Sequence, residues 1–257
     1  MGEVDSPRRV AVIPAHDEAA HVADVVARAL PHVDQVLVID DGSRDDTGAL
    51  AQRAGATVLR LEPNRGKGAA LAYGCDRARA LGAREIVTLD ADGEHFPEEI
   101  PSLLAALAGA DVALGHRAVY RSGARRAANA LALFWFRLLD PAVLDTICGF
   151  RAFRADALAA VQNDSGGFVY EHEVILRAVA AGLRIASVPV STTPSTTSHV
   201  TAREMLRANN HFDRRVLSLL GSLPLPLWRR ALLGLGCAAG LAVGAPAAWA
   251  LGDGRRA

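Results

Sequence analysis

Short apolar runs recur along the first half of the chain, each followed by a polar cluster and then by apolar positions at helical spacing. Arg9 to Ile13 (RVAVI), Gln35 to Ile39 (QVLVI), Thr57 to Leu61 and Glu85 to Leu89 are short, and most are rich in β-branched residues. Such runs predict buried strands. Between them Val22, Val25, Val26, Ala29 and Leu30 share one helical face, and a second helix covers Thr47–Ala54 ahead of Gly55. A third opens at Asn64-Arg65-Gly66-Lys67-Gly68 and runs to about Leu81, stopped by Gly82. Strand and helix therefore alternate with short connectors, which predicts an α/β fold built on a mostly parallel sheet of right-handed crossovers. Further on, the pattern predicts a helix from Pro97 to about Ala108 and a strand over Asp111–Leu114. Helices near Asp156–Val161 and around Glu171 and Glu173 follow, then a late strand over Ile185–Val190.

The polar clusters Pro14–Glu18, Asp40–Ser43 and Asp90–Glu94 each lie just after a strand. They are expected to share the carboxyl edge of the sheet, where open α/β folds place ligands. In IVTLDADGEHFP, Asp90 and Asp92 stand one small residue apart. One reading is a solvated turn with an Asx-type cap. The other is a divalent cation held by one or two carboxylates and completed by a substrate's phosphates, the habit of Mg²⁺.

Composition narrows the choice. The chain has 257 residues, 51% of them hydrophobic, with 28 Lys+Arg against 28 Asp+Glu. Zero net charge argues against a nucleic-acid binder. Cys75, Cys148 and Cys237 form no CxxC pair, so neither a disulfide framework nor a zinc site is indicated and a reducing compartment fits. The N-terminus carries no apolar signal core, and its loose myristoylation pattern through Gly2 and Ser6 is treated as chance. Ala231 to Leu251 is uncharged and rich in Ala, Gly and Leu, with GxxxG spacings through Gly236, Gly240 and Gly244 and a kinking Pro246. It is expected to be a single membrane-spanning or interfacial helix. Upstream, Met205–Leu220 carries Arg207, Arg214 and Arg215 among apolar residues and is read as a basic amphipathic segment.

Taken in order, IPAHDE, VIDDGSRDDT, NRGKGAAL, LDADGEHFP, DTICGFRAF and EHEVILRAVAAGLRIASVPV resemble the family 2 glycosyltransferases of the GT-A fold. Within these the chain is most similar to the polyprenyl-phosphate glycosyltransferases, the dolichyl-phosphate mannose synthase-like group. The resemblance spans roughly residues 9–200 and implies a Rossmann-like, mostly parallel central sheet flanked by helices, followed by amphipathic and apolar C-terminal helices. It implies donor-nucleotide contacts from Pro14, Ala15, Glu18, Asp40, Asp41, Lys67, Asp90 and Ala91. It also implies a Mg²⁺ or Mn²⁺ site at Asp90, Asp92 and Glu94. Arg117, Arg125, Arg126 and Arg151 would face the acceptor phosphate, with Asp92, Asp145, Arg117 and Arg126 as the catalytic set. Three positions depart from the family pattern: Asp17 stands for Asn, Glu94 for Gln and Cys148 for Ser or Thr.

The implied reaction moves a hexosyl group from a GDP- or UDP-sugar to a polyprenyl phosphate, with inversion, at the cytoplasmic face of a membrane. A phosphate acceptor is already nucleophilic near neutrality, so Asp145 is read as either a base or a positioning group. Three domains are expected: a catalytic one over 1–200, a juxtamembrane segment over 201–228 and an apolar helix over 229–257. A homo-oligomer is left open. The alternatives weighed are a processive polysaccharide synthase, which would carry a Gln-x-x-Arg-Trp segment that is absent here, and a glycosyltransferase with a non-lipid acceptor. A metal-dependent phosphohydrolase and a non-catalytic binding protein complete them.

Overall fold

The computed structural model describes residues 9–117, 133–163, 165, 169–193 and 202–250, excepting the side chains of 202–209 and 239–250. Its centre is a seven-stranded sheet in the order β3-β2-β1-β4-β6-β5-β7. The strands are β1 (Arg9–Ala15), β2 (Gln35–Asp40), β3 (Thr57–Arg60), β4 (Glu85–Thr88), β5 (Val112–Arg117), β6 (Arg151–Arg154) and β7 (Ile185–Val190). β1 to β4 pair in parallel, as do β5 and β7, whereas β6 runs antiparallel to both of its neighbours. The α/β class and the parallel half of the sheet, β1 to β4, match the pattern expected from the sequence. β6, only four residues long, is an element that the periodicity did not predict.

Why these runs become central strands follows from their two-sided burial. Val10 and Val12 of β1 join a core on one face of the sheet, while Ala11, Ile13 and Ala15 join a second core on the other. β2 divides likewise, Leu37 and Ile39 on one side and Val36 and Val38 on the other. A strand covered on both faces needs an unbroken apolar run, and these have one. Helix α1 (Val22–Ala29) buries Val22, Val25, Val26 and Ala29, the stripe predicted for it. Helices α2 (Thr47–Arg53), α3 (Lys67–Ala80), α4 (Ile100–Ala106), α5 (133–139) and α6 (Ala155–Val161) follow in chain order. They are succeeded by α7 (Val169–Ala180), α8 (Ala202–Leu219) and α9 (Leu227–Ala250).

α7 and α8 are joined by a polar pin. Glu173, 2% exposed, accepts from Arg215 Nη2 at 2.8 Å, from Arg177 Nε at 2.9 Å and bonds His211 Nε2 at 3.1 Å. Burial pushes its carboxyl up, but the hydrogen bonds from Arg215, Arg177 and His211 outweigh it and hold the group at about 2, against an ordinary 4.5. A depressed acid contributes stability that is fully present above its unfolded pKa and lost as pH falls through the folded one. Glu173 is therefore expected to contribute on the order of 2–3 kcal/mol at pH 6, disappearing between roughly pH 4.5 and pH 2. Acid unfolding of Glu173→Gln should lack that component; an unchanged pH–stability curve would remove the pin from the account.

The expected membrane-spanning C-terminal helix is corrected by the structure. Among the described residues no helix is long and apolar enough to cross a membrane. α9 instead packs along α8, with Leu233 and Cys237 turned into the protein core and Gly236 set against the Trp135 ring of α5. Gly234 and Gly236 serve close packing within the protein, against Leu220 and Trp135, a use that an uncharged Ala/Gly/Leu composition permits equally well. The expected anchoring of the protein by a membrane-spanning helix falls with it.

Candidate active site

The site is assembled where β1, β2 and β4 end. After β1 the chain turns at Asp17, which sits at φ 56, the left-handed region that Asn and Asp tolerate best. Asp17 N donates to Ser43 Oγ at 3.1 Å and Arg44 N donates to Asp17 Oδ1 at 2.7 Å. His16 Nδ1 donates to the Asp41 carbonyl at 3.0 Å, and Glu18 N to Thr47 Oγ1 at 2.8 Å. The first loop, with Pro14, Ala15 and Glu18, is thus laced to the second. An Asp at the position where the family pattern implied Asn keeps both the backbone conformation and the acceptor.

Asp40 and Asp41 build this edge from inside. Asp40 is 1% exposed, accepting from Ser43 N at 2.8 Å and from Arg60 Nη1 at 2.6 Å. Asp41 Oδ1 takes Arg65 N at 2.8 Å and its Oδ2 takes Gly66 N at 2.7 Å. In the structure these four oxygens each accept an N–H of the protein itself. They shape the NRGKG turn, which enters α3 through Gly66 at φ 87, a value that calls for glycine.

That turn delivers Lys67. Its Nζ lies 2.8 Å from Asp90 Oδ1 and 3.2 Å from Glu171 Oε1 of α7. Burial would lower the amine, yet the charges of Asp90 and Glu171 outweigh it and keep Lys67 above its ordinary value. Burial likewise pushes Asp90 up, but the charges of Lys67, His95 and Arg117 and the Lys67 hydrogen bond outweigh it, and the net shift is downward. Asp92 is shifted the other way, raised by burial and then by the charge of Asp90. One Asp92 oxygen accepts Glu94 N at 2.9 Å, so the Asx turn weighed from the sequence exists, and it leaves Asp92 a second oxygen. Ala91 between them is buried.

Gly149 closes the other side. A Cβ there would stand 2.8 Å from both Asp90 oxygens. Gly149→Ala is expected to displace the Asp90 carboxylate from Lys67 and cut turnover at least tenfold with the fold retained; wild-type kcat/KM in a folded variant would show that the contact is immaterial.

Asp145, whose side chain is fully buried, accepts from Arg117 Nε at 2.9 Å, Arg117 Nη2 at 3.2 Å and Arg117 N at 3.4 Å. It also accepts from Ile147 N at 3.0 Å and Cys148 N at 3.2 Å. A carboxylate so saturated positions Arg117 and the DTICGF turn, and of the two roles left open for it this geometry favours positioning. Arg151 departs from its expected place. It is 2% exposed and donates to the carbonyls of Cys148 (2.8 Å), Glu171 (3.1 Å) and Thr146 (3.1 Å), so it stitches the turn to α7 and does not face a ligand. Arg125 and Arg126 lie outside the described residues. Glu94 contributes its carbonyl to Thr193 N at 2.8 Å. Among the described residues no three His, Cys, Asp or Glu side chains gather as a metal cage, so the expected Asp90/Asp92/Glu94 triad is not assembled.

Two further groups belong to the site. Glu171 is 2% exposed and touches Lys67; its signal in the sequence is an acid on a helix whose other positions are largely apolar. His95 is 3% exposed, tilts against Phe150 at 5.3 Å between ring centroids, and is pushed down to about 4 by burial, hence neutral at pH 7.

The family model of glycosyl transferase family 2 matches residues 10–162. The chain belongs to glycosyltransferase family 2. Its relatives in that family include the polyprenol monophosphomannose synthase of Mycolicibacterium smegmatis, 34% identical over 209 residues that cover 72% of this chain and 77% of that one. The undecaprenyl-phosphate mannosyltransferase of Micrococcus luteus is 32% identical over 202 residues, covering 72% and 83%. Among solved structures, glucosyl-3-phosphoglycerate synthase from Mycobacterium tuberculosis with UDP superposes with a TM-score of 0.63 at 22% identity, over 86% of this chain and 81% of that one. The same enzyme with Mn²⁺, UDP and glucosyl-3-phosphoglycerate gives 0.61. At that identity the likeness shows the GT-A fold.

Proposed function

We propose that this family 2 enzyme transfers a hexosyl group from a nucleoside-diphosphate sugar to a polyprenyl phosphate, with inversion at the anomeric carbon. The observation that carries the reading is the strand-end pair Asp90 and Asp92, crowded enough that Asp92 is shifted up and Asp90 needs Lys67 beside it. The polyprenol- and undecaprenyl-phosphate activities for which the mycobacterial and micrococcal relatives are named support the lipid acceptor. The catalytic domain is taken as residues 1–200, with 201–228 and 229–257 as appended helical segments.

Two carboxylates with one spare oxygen on Asp92 suit a divalent cation that is completed by phosphate oxygens, and no closed protein cage is needed for that. Mg²⁺ or Mn²⁺ held by Asp90 and Asp92 would supply Lewis-acid charge to the departing diphosphate. The chain's own residues do the rest. Pro14, Ala15 and Glu18 line the nucleoside side. Lys67 adds a positive charge on the diphosphate side. Arg117, oriented by Asp145, offers a guanidinium fork to the acceptor phosphate, which binds such forks bidentately, with Arg125 or Arg126 as its partner. A dianionic phosphate needs no strong base, which agrees with an Asp145 whose oxygens are engaged. Orientation and charge then supply the rate.

The test is a donor screen with GDP- and UDP-hexoses, using vesicles containing polyprenyl phosphate and, in parallel, free sugar acceptors, with and without EDTA. Transfer to the lipid that EDTA abolishes and added Mn²⁺ restores is expected. Transfer that ignores EDTA, or that prefers a free sugar, would overturn the metal or the acceptor respectively.

A further inference from the structure

The ammonium of Lys67 straddles two carboxylates that the metal–diphosphate reading treats unequally. Asp90, 2.8 Å away, is wanted by the cation; Glu171, 3.2 Å away on α7, is not at the strand end. Glu171 is 2% exposed, and its Oε2 has no hydrogen-bond partner, so it holds unused acceptor capacity in a buried place. The root of Lys67 is fixed, because Asp41 grips the backbone N–H groups of Arg65 and Gly66. Its four-carbon stem can still pivot about that root. An ammonium seated on Asp90 Oδ1 occupies the oxygen's approach and repels a divalent ion that comes to the same carboxylate. Glu171 already shares the ammonium through Oε1, and its unpartnered Oε2 lets it keep that charge when Asp90 is given up.

We propose that Lys67 is a guard on Asp90: it neutralises that carboxylate until the donor arrives, then moves onto Glu171 and the donor diphosphate, making cation binding conditional on the nucleotide. This rests on the metal–diphosphate reading of Asp90 and Asp92. Glu171 acts through Lys67 and is a positioning residue. Ordered loading of this kind keeps the cation from occupying the site without a diphosphate to complete its coordination.

Mn²⁺ uptake by the full chain, followed by electron paramagnetic resonance of the free ion, tests the idea without measuring turnover. It is run with and without UDP or GDP and corrected for the nucleotide's own Mn²⁺ complex. Wild type should bind Mn²⁺ at least about tenfold more tightly with nucleotide present. Lys67→Met should bind about tenfold more tightly than wild type in the absence of nucleotide and lose that advantage in its presence. Glu171→Gln should leave nucleotide-free affinity near wild type and weaken binding in the ternary state, where the displaced ammonium has lost its second seat. A Lys67→Met gain that is absent, or equal with and without nucleotide, overturns the guard while leaving the metal site standing, since simple through-space repulsion ignores the nucleotide. Wild type that takes up no Mn²⁺ even with nucleotide overturns the metal reading itself. If Lys67→Met melts below the assay temperature, the Glu171→Gln arm decides: unchanged ternary affinity rejects the guard.

Discussion

Asn in place of Asp92 is expected to lower kcat by about 10³-fold or more while leaving the melting temperature unchanged or slightly raised. The fold should tolerate it because the side-chain oxygen that accepts Glu94 N at 2.9 Å has a counterpart in Asn. The carboxylate's charge, by contrast, works against the folded state. Burial and the neighbouring Asp90 both raise the Asp92 carboxyl, so the ionised form is disfavoured where it stands. Removing that charge relieves the repulsion and takes away what the diphosphate's cation would bind. Loss of one preorganised electrostatic contact in such a site costs roughly 10²–10³ in rate, and loss of a cation's charge more. Melting curves beside kcat make the test. An Asp92→Asn enzyme with more than a tenth of wild-type turnover would end the case for a metal–diphosphate site here.

Asp145→Asn should show the opposite pattern. Its oxygens receive two guanidinium and three backbone N–H bonds, and the side chain is fully buried. An amide presents an NH₂ to donors that need an acceptor, and it leaves the Arg117 charge without its counter-ion. Breaking a buried pair from one side costs about 3–5 kcal/mol. For a chain of this size that is a fall on the order of 10 °C in melting temperature. Turnover by the protein that remains folded should stay measurable, since a phosphate acceptor does not depend on Asp145 for deprotonation. Complete inactivity with an unchanged melting temperature would restore Asp145 as the base.

The β1–β4 half was legible because it obeys one rule: strand, polar loop, helix, repeated. Strand ends at Ala15, Asp40 and Thr88 put Asp17, Asp41 and Asp90 together whatever the details of packing. Which oxygens remain open was not legible. Asp40 and Asp41 look like ligand contacts in a string of letters, and only the placement of Arg60, Arg65 and Gly66 shows them engaged internally. Glu171 escaped for a related reason: it reaches Lys67 across a long sequence separation, from α7. The C-terminal run misled because composition reports apolarity but not what covers it, and Leu233 and Cys237 are covered by protein.

β6 enters the sheet against its neighbours, and that reversal has a consequence for how the site is held. Gly115 N of β5 bonds the Phe150 carbonyl at 2.9 Å, one residue before β6 begins, so the chain leaves and re-enters the sheet at adjacent points. The two stems of the intervening segment lie side by side, and the Asp145–Gly149 turn is held against Asp90 by the second of them, so the seat of that carboxylate is built by strand pairing and not by the length of chain between the stems.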